Sequence, residues 1–247
     1  MSKKKDKGKS SNDYSSEYFK SHKEDHYNYE KAAEEYLVSS GSMYMDHVLG
    51  GGLGAGLHRF TGANEGGKTN AALHVMFNML KSVKKSKGLF IKAEGRLSNE
   101  IKERSGLTFV YNPEEWVSGT CLVFECNVFD TVIDYLRGLL ANNSEDERFC
   151  IIIDSMDGMI AKDDLKKSTH EARKVAAGAL ITSDFLKRVS LGMSKFGHMC
   201  IMISQIRSSI KASQYVKNDP NNQTNSSGGN AILHYPDWIL EFKKRKQ

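Results

Sequence analysis

Apolar residues in this chain fall into two alternating patterns. Short, nearly unbroken apolar runs occur at Gly88–Ala93 (GLFIKA), Phe149–Ile153 (FCIII) and His198–Ile203 (HMCIMI). Such runs are what parallel strands covered on both faces require. Leu57–Thr61 and Thr120–Phe124 are read as two further strands. Between the runs, apolar positions recur every three to four residues. Over Lys68–Ser82 the stripe is Ala71, Ala72, Val75, Met76, Met79 and Leu80, and over Phe129–Leu140 it runs from Phe129 through Val132, Ile133 and Leu136 to Leu140. Helices are also predicted over Asn99–Arg104, through residues 171–196, and over Tyr29–Val38, where Ala32, Ala33, Tyr36 and Leu37 share a side. Strands alternating with helices of these lengths predict an α/β fold, with a mostly parallel twisted sheet and helices on both faces.

Three stretches break this rhythm. Residues 1–27 hold almost no aliphatic side chain and read as a basic, flexible N-terminal arm. Six glycines crowd into Gly50–Gly62, where the backbone must turn tightly or approach something closely. Asp157–His170 and Ser208–Gly229 are polar segments that each follow a buried strand, so both should emerge at the carboxyl edge of the sheet, where open α/β folds bind ligands. The predicted organisation is an arm over 1–27, a helix and linker over 28–42 as a possible polymerisation element, and a core over 43–247.

Composition narrows the class. With 247 residues and 39% hydrophobic content the chain can bury a large core. No apolar stretch reaches the ~20 residues of a membrane span, and MSKKKDKGKS is no secretory leader. Cys121, Cys126, Cys150 and Cys200 form no CxxC pair, which argues against a disulfide or cysteine-zinc framework. A soluble, cytoplasmic protein without membrane partners is expected. The net charge of +5 sits at the ends: residues 1–9 and the run Lys243, Lys244, Arg245, Lys246 each contribute +4, leaving a body of −3. Basic ends on a slightly acidic body suit either a polyanion partner or simple solubilisation.

The candidate chemistry is local and specific. Gly62-Ala63-Asn64-Glu65-Gly66-Gly67-Lys68-Thr69 matches GxxxxGK[ST], and it lies between a predicted strand and a predicted helix that continues through Asn70. Glycines there let successive N–H groups curl around phosphate at a helix N-terminus. Lys68 would reach the β- and γ-phosphates of a nucleoside triphosphate, and the Thr69 hydroxyl would ligate Mg²⁺. Asp154 ends the run CIIID, where a carboxylate can hold the magnesium; a turn-forming Asp is the alternative. Glu94 follows GLFIKA and could deprotonate an attacking water, or could serve a helix N-terminus. Glu65 is a weaker rival, expected to face outward. Gln205 ends a buried strand just before the long polar segment, where an amide could bond the γ-phosphate or its water.

Taken together, MDHVLGGGLGAGLHRFTGANEGGKT, LFIKAEGRLS, CIIIDSMDGMI and IMISQIRSSIK…SSGGNAILHYPDWILEFKKR resemble the ATPase core of the RecA-type recombinases, over roughly residues 43–246. The resemblance implies a RecA-like P-loop NTPase core that uses ATP and Mg²⁺. It implies that Glu94 is the catalytic glutamate, Asp154 the Walker B acid, and Gln205 the sensor coupling nucleotide to DNA. It further implies two DNA-binding loops. The first lies within Gly158–His170, with Lys162, Lys166 and Lys167; the second runs from Arg207 to about Gly229, with Lys211, Tyr215, Lys217 and then Gly228, Gly229 and Asn230. The implied activity is homologous pairing and strand exchange in DNA repair, with ATP hydrolysis. The implied partners are single- and double-stranded DNA, further copies in a helical filament, and single-strand-binding or mediator proteins. Gly66 departs from the serine usual in the bacterial proteins, and the second loop is longer and richer in Asn. The family usually continues beyond EFKKRKQ, so the chain is expected to be either part of a longer or split protein, or a minimal form. Two other readings are a ring-forming helicase or RadA/KaiC-like ATPase, and a non-hydrolysing accessory protein of a full-length recombinase.

Overall fold

The computed structural model describes residues 10–23, 31–95, 97–143, 146–166, 176–205, 207–208, 224–225 and 231–243. Along the chain come α1 (Ser11–Ser21), α2 (Met43–Val48), β1 (Gly56–Gly62), α3 (Lys68–Ser82), β2 (Ser86–Lys92), α4 (Asn99–Ser105) and β3 (Thr108–Val110). There follow β4 (Thr120–Glu125), α5 (Phe129–Ala141), β5 (Arg148–Asp154), α6 (Ala176–Lys195) and β6 (Met199–Gln205). Last are β7 (Arg207–Ser208), β8 (Thr224–Asn225), α7 (Ala231–His234) and β9 (Trp238–Phe242). Seven strands form one sheet in the order β3-β4-β2-β5-β6-β1-β9, and each pairing in it is parallel.

The strand period of two assigns the sheet's side chains to two cores. Leu89, Ile91, Ile151 and Ile153 face α5 and α6, packing on Phe129, Val132, Leu136, Phe185 and Leu186. Their neighbours Phe90, Cys150 and Ile152 face the opposite side, against Leu73, Val75, Met76 and Met79 of α3. Helices therefore cover both faces, and β5 and β6 are buried almost throughout. No helix among the described residues is long and apolar enough to cross a membrane.

Three segments differ from the sequence reading. The helix expected over Tyr29–Val38 does not form in residues 31–38, which are irregular up to an isolated antiparallel bridge between Val38 and Leu53. A ten-residue helix is marginal on its own, and tertiary partners compete for this backbone. Val38 and Leu53 exchange N–H···O bonds at 2.8 Å in each direction, Ala33 N–H donates to Lys195 O at 2.9 Å, and Tyr36 Oη donates to Gly197 O at 3.0 Å. Val38 at the bridge is 1% exposed. Within the arm, Ser11–Ser21 is helical without burying any residue; Ser10 caps it by accepting from Asp13 N–H, and the Tyr18 ring stacks on His22. At the other end, Trp238–Phe242 adds an edge strand beside β1, its rim contact being Phe60 against Phe242 with ring centroids 5.3 Å apart.

The candidate phosphate-binding cleft

Four adjacent strands, β2, β5, β6 and β1, end at one edge of the sheet, and each delivers one candidate residue there. Register explains the convergence: Lys92 is level with Asp154, and Gly62 is level with Gln205. Glu94 lies two residues beyond Lys92, its N–H turned to Asp154 O. Carboxyl ends of a parallel sheet are where such folds bind ligands. The cleft enclosed there has a volume of about 380 Å³, and its walls include residues 64–70, Glu94, Asp154, Ser155 and Gln205.

The glycine-rich turn is shaped by two positions. Gly67 caps α3 at φ 90° with no side-chain bond to the helix, and a Cβ there would meet nothing within 4 Å. The 15-residue α3 thus begins on the wall of the cleft with no side-chain cap on its first turn. Gly62 is the opposite case. At φ 145° a Cβ would lie 2.1 Å from Phe242 O on β9. Gly62→Ala is therefore expected to destabilise the fold by roughly 2–6 kcal/mol, from backbone strain and overpacking together. A urea melt indistinguishable from wild type would show that β9 yields instead.

Lys68 is buried, and its Nζ donates to Gly62 O at 3.0 Å and Ala63 O at 2.7 Å. Burial pulls its pKa down, while the charges of Asp154, Asp157 and Glu94 push it back up. Thr69 Oγ1 donates to Asp154 Oδ2 at 2.8 Å. Burial pushes the Asp154 carboxyl above its ordinary range; the Thr69 bond and the Lys68 charge oppose that rise, and the Glu94 charge adds to it. Glu94 Oε1 accepts from Ser155 Oγ and, at 3.1 Å, from Gln205 Nε2. Gln205 N–H in turn donates to Asp157 Oδ2 at 2.6 Å. Glu65 is exposed at φ 57° on the rim of the cleft.

The donor set suits a hard divalent cation. Thr69 and Asp154 offer neighbouring oxygens, and burial, with the Glu94 charge adding to it, penalises the ionised Asp154 carboxyl, a cost that a bound cation would offset. Among the described residues no three His, Cys, Asp or Glu side chains gather as a protein-only metal cage. A cation here would share its coordination with water and ligand oxygens, the usual habit of Mg²⁺.

Ser155 and Asp157 escaped the sequence reading. Their only signal is that both are polar and lie within three residues of Asp154, at the end of CIIID. Of the residues expected in the first polar segment, Lys162 is exposed, with its N–H on Asp130 Oδ2 at 2.7 Å. Lys166 ends a 3₁₀ turn over Asp164–Lys166. In the second segment, Arg207 and Ser208 pair antiparallel with Asn225 and Thr224, so a short ladder closes the base of the segment. Lys167, Lys211, Tyr215, Lys217, Gly228, Gly229 and Asn230 lie outside the described residues.

Sheet order, glycine-rich turn and strand-end carboxylates together define a P-loop α/β domain. The family model for the RecA N-terminal domain matches residues 26–247, and the chain belongs to that family. Protein RecA of Gloeobacter violaceus is 25% identical over 210 residues, covering 84% of this chain and 51% of that protein. Protein RecA of Cytophaga hutchinsonii is 24% identical over 212 residues, covering 84% and 53%. The chain thus spans about half the length of the curated relatives it matches.

Proposed function

We propose that this chain is the core of an ATP-dependent, single-stranded DNA-binding recombinase that assembles as a filament and promotes homologous pairing and strand exchange. The observation that carries the reading is the Gln205–Glu94 hydrogen bond beside the glycine-rich turn. It joins a carboxylate able to act on water to the residue from which the long polar segment departs.

In this reading the N–H groups at the start of α3 and the Lys68 ammonium receive the triphosphate. Lys68 then exchanges its two carbonyl partners for phosphate oxygens. Thr69 and Asp154 would hold Mg²⁺, which when bound supplies positive charge to the phosphate oxygens. Glu94 takes the proton from the attacking water as the bond to the γ-phosphorus forms and ADP departs. Both donors to Glu94 fall on Oε1, and among the described residues no hydrogen bond falls on Oε2. Oε2 is the oxygen presented to water. Lys162, Lys166, Lys167 and the Arg207–Asn230 segment supply cations for DNA phosphates and Tyr215 for base stacking.

ATP turnover measured with and without single-stranded DNA, together with imaging of the protein on DNA with a non-hydrolysable ATP analogue, tests the proposal. DNA-stimulated turnover and open helical filaments are expected. Closed rings favour the helicase-like reading, and absent turnover favours the accessory protein. Two variants locate the DNA element. Deleting residues 1–9 is expected to weaken DNA affinity modestly and keep the stimulation. Changing Lys211, Tyr215 and Lys217 together to Ala is expected to abolish stimulation even at saturating DNA. Normal stimulation in the triple variant, with loss in the deletion, would move DNA sensing to the arm.

A further inference from the structure

Asp157 lies where the bases of both polar segments meet the cleft. It sits in the 3₁₀ turn Met156–Gly158, at the start of the first segment. Its Oδ2 accepts from the N–H of Gln205, the last residue of β6, immediately ahead of the second segment. Through its side chain Gln205 holds Glu94. One carboxylate therefore ties the first segment's base to the second's, and the tied residue touches the candidate base.

The surroundings suit a charged clamp. Arg59 on β1 is 3% exposed, and its Nε donates to Ser204 Oγ at 2.9 Å, next to Gln205 in the chain. The Asp157 charge helps keep both the Arg59 guanidinium and the Lys68 ammonium protonated against their burial. The second oxygen, Oδ1, is buried and has no hydrogen-bond partner among the described residues. A buried acceptor left unsatisfied is costly. That the carboxylate nonetheless occupies this position fits a role in which its grip on one backbone N–H is the feature used. A charge-assisted bond of this length is among the stronger kinds of hydrogen bond.

We propose that Asp157 is a positioning residue that clamps the Gln205 backbone, holds its amide on Glu94, and so makes displacement of either segment's base felt in the cleft. This rests on the reading under Proposed function. If Asp157 only stabilised its turn, its loss would lower stability and leave communication between the ligands intact.

The test measures how much a non-hydrolysable ATP analogue tightens binding of a single-stranded oligonucleotide, in wild type, Asp157→Ala and Asp157→Asn. Wild type should show coupling of about 5–150-fold. Asp157→Ala should fall below about 2-fold, with each ligand's affinity alone within about 3-fold of wild type. Asn retains an acceptor for the Gln205 N–H and should recover much of the coupling. In ligand-free protein, exchange of the Gln205 amide with solvent deuterium, followed by NMR, should speed up at least ~10-fold in the Ala variant and much less in the Asn variant. If Asp157→Ala does not fold, Asp157→Glu takes its place. It keeps the charge but displaces the carboxylate by one methylene, and wild-type coupling in it would overturn the proposal. Equal coupling in wild type and Asp157→Ala, or an unchanged Gln205 exchange rate, overturns the positioning role alone. A wild type that binds no nucleotide, or binds nucleotide and DNA independently, overturns the functional reading, and the positioning role goes with it.

Discussion

Replacing Glu94 by glutamine is expected to slow DNA-stimulated ATP hydrolysis by about 10²–10⁴-fold, the usual cost of losing a general base. Nucleotide affinity should stay within a few-fold of wild type. The amide is nearly isosteric, and its oxygen can still accept from Ser155 Oγ and Gln205 Nε2, so the local network survives. What is lost is the capacity to take a proton from water. Phosphate release in single turnovers, beside binding of a non-hydrolysable analogue, separates the two effects. If affinity falls as far as turnover, Glu94 holds the ligand or the fold and the base lies elsewhere.

Lys68→Ala should reduce turnover by at least about 10²–10³-fold, because a fixed positive charge on the phosphates is removed from the cleft. From the motif alone, Lys68 would serve the ligand and pack against nothing, so the variant would keep wild-type stability. The structure changes that expectation. Lys68 is 7% exposed and bridges the carbonyls of Gly62 and Ala63, which fastens the glycine-rich turn to the start of α3. Loss of these charged hydrogen bonds should cost roughly 1–3 kcal/mol of stability. Wild-type turnover in this variant would refute the phosphate assignment, whereas an unchanged melt would show that water replaces Nζ at the two carbonyls.

The parts of this molecule legible in one dimension are those whose determinants are contiguous. The α3 helix spans the same residues that the sequence reading gives it, Lys68–Ser82. The buried runs appear as β2, β5 and β6, because strands covered on both faces need apolar residues at every position. The glycine-rich turn is legible for the same reason: its backbone geometry belongs to the residues that form it. By contrast, Tyr29–Val38 has helical periodicity, yet its described part is not helical because Leu53, Lys195 and Gly197 supply partners from elsewhere in the chain. The three-residue β3 is too short to show a period, and the pairing of both β3 and β9 is decided by the neighbours they find.

The cleft divides along the same line. Sequence placed Glu94, Asp154 and Gln205 each near a strand end, and no local pattern could say that they share one cleft. Glu94 and Gln205 are 111 positions apart, and they touch because β5 and β6 are neighbours with β2 on the far side of β5. Ser155 and Asp157 acquire their partners only through that order. By itself, then, the sequence determined α3, the buried strands β2, β5 and β6, the glycine-rich turn and which residue types stand at the strand ends. Tertiary structure alone decided which ends are adjacent, what Lys68 holds, and that Asp157 grips Gln205. The physical reason is that hydrogen bonds between side chains act over about 3 Å, and in a parallel sheet that distance is set by strand order and register rather than by position along the chain.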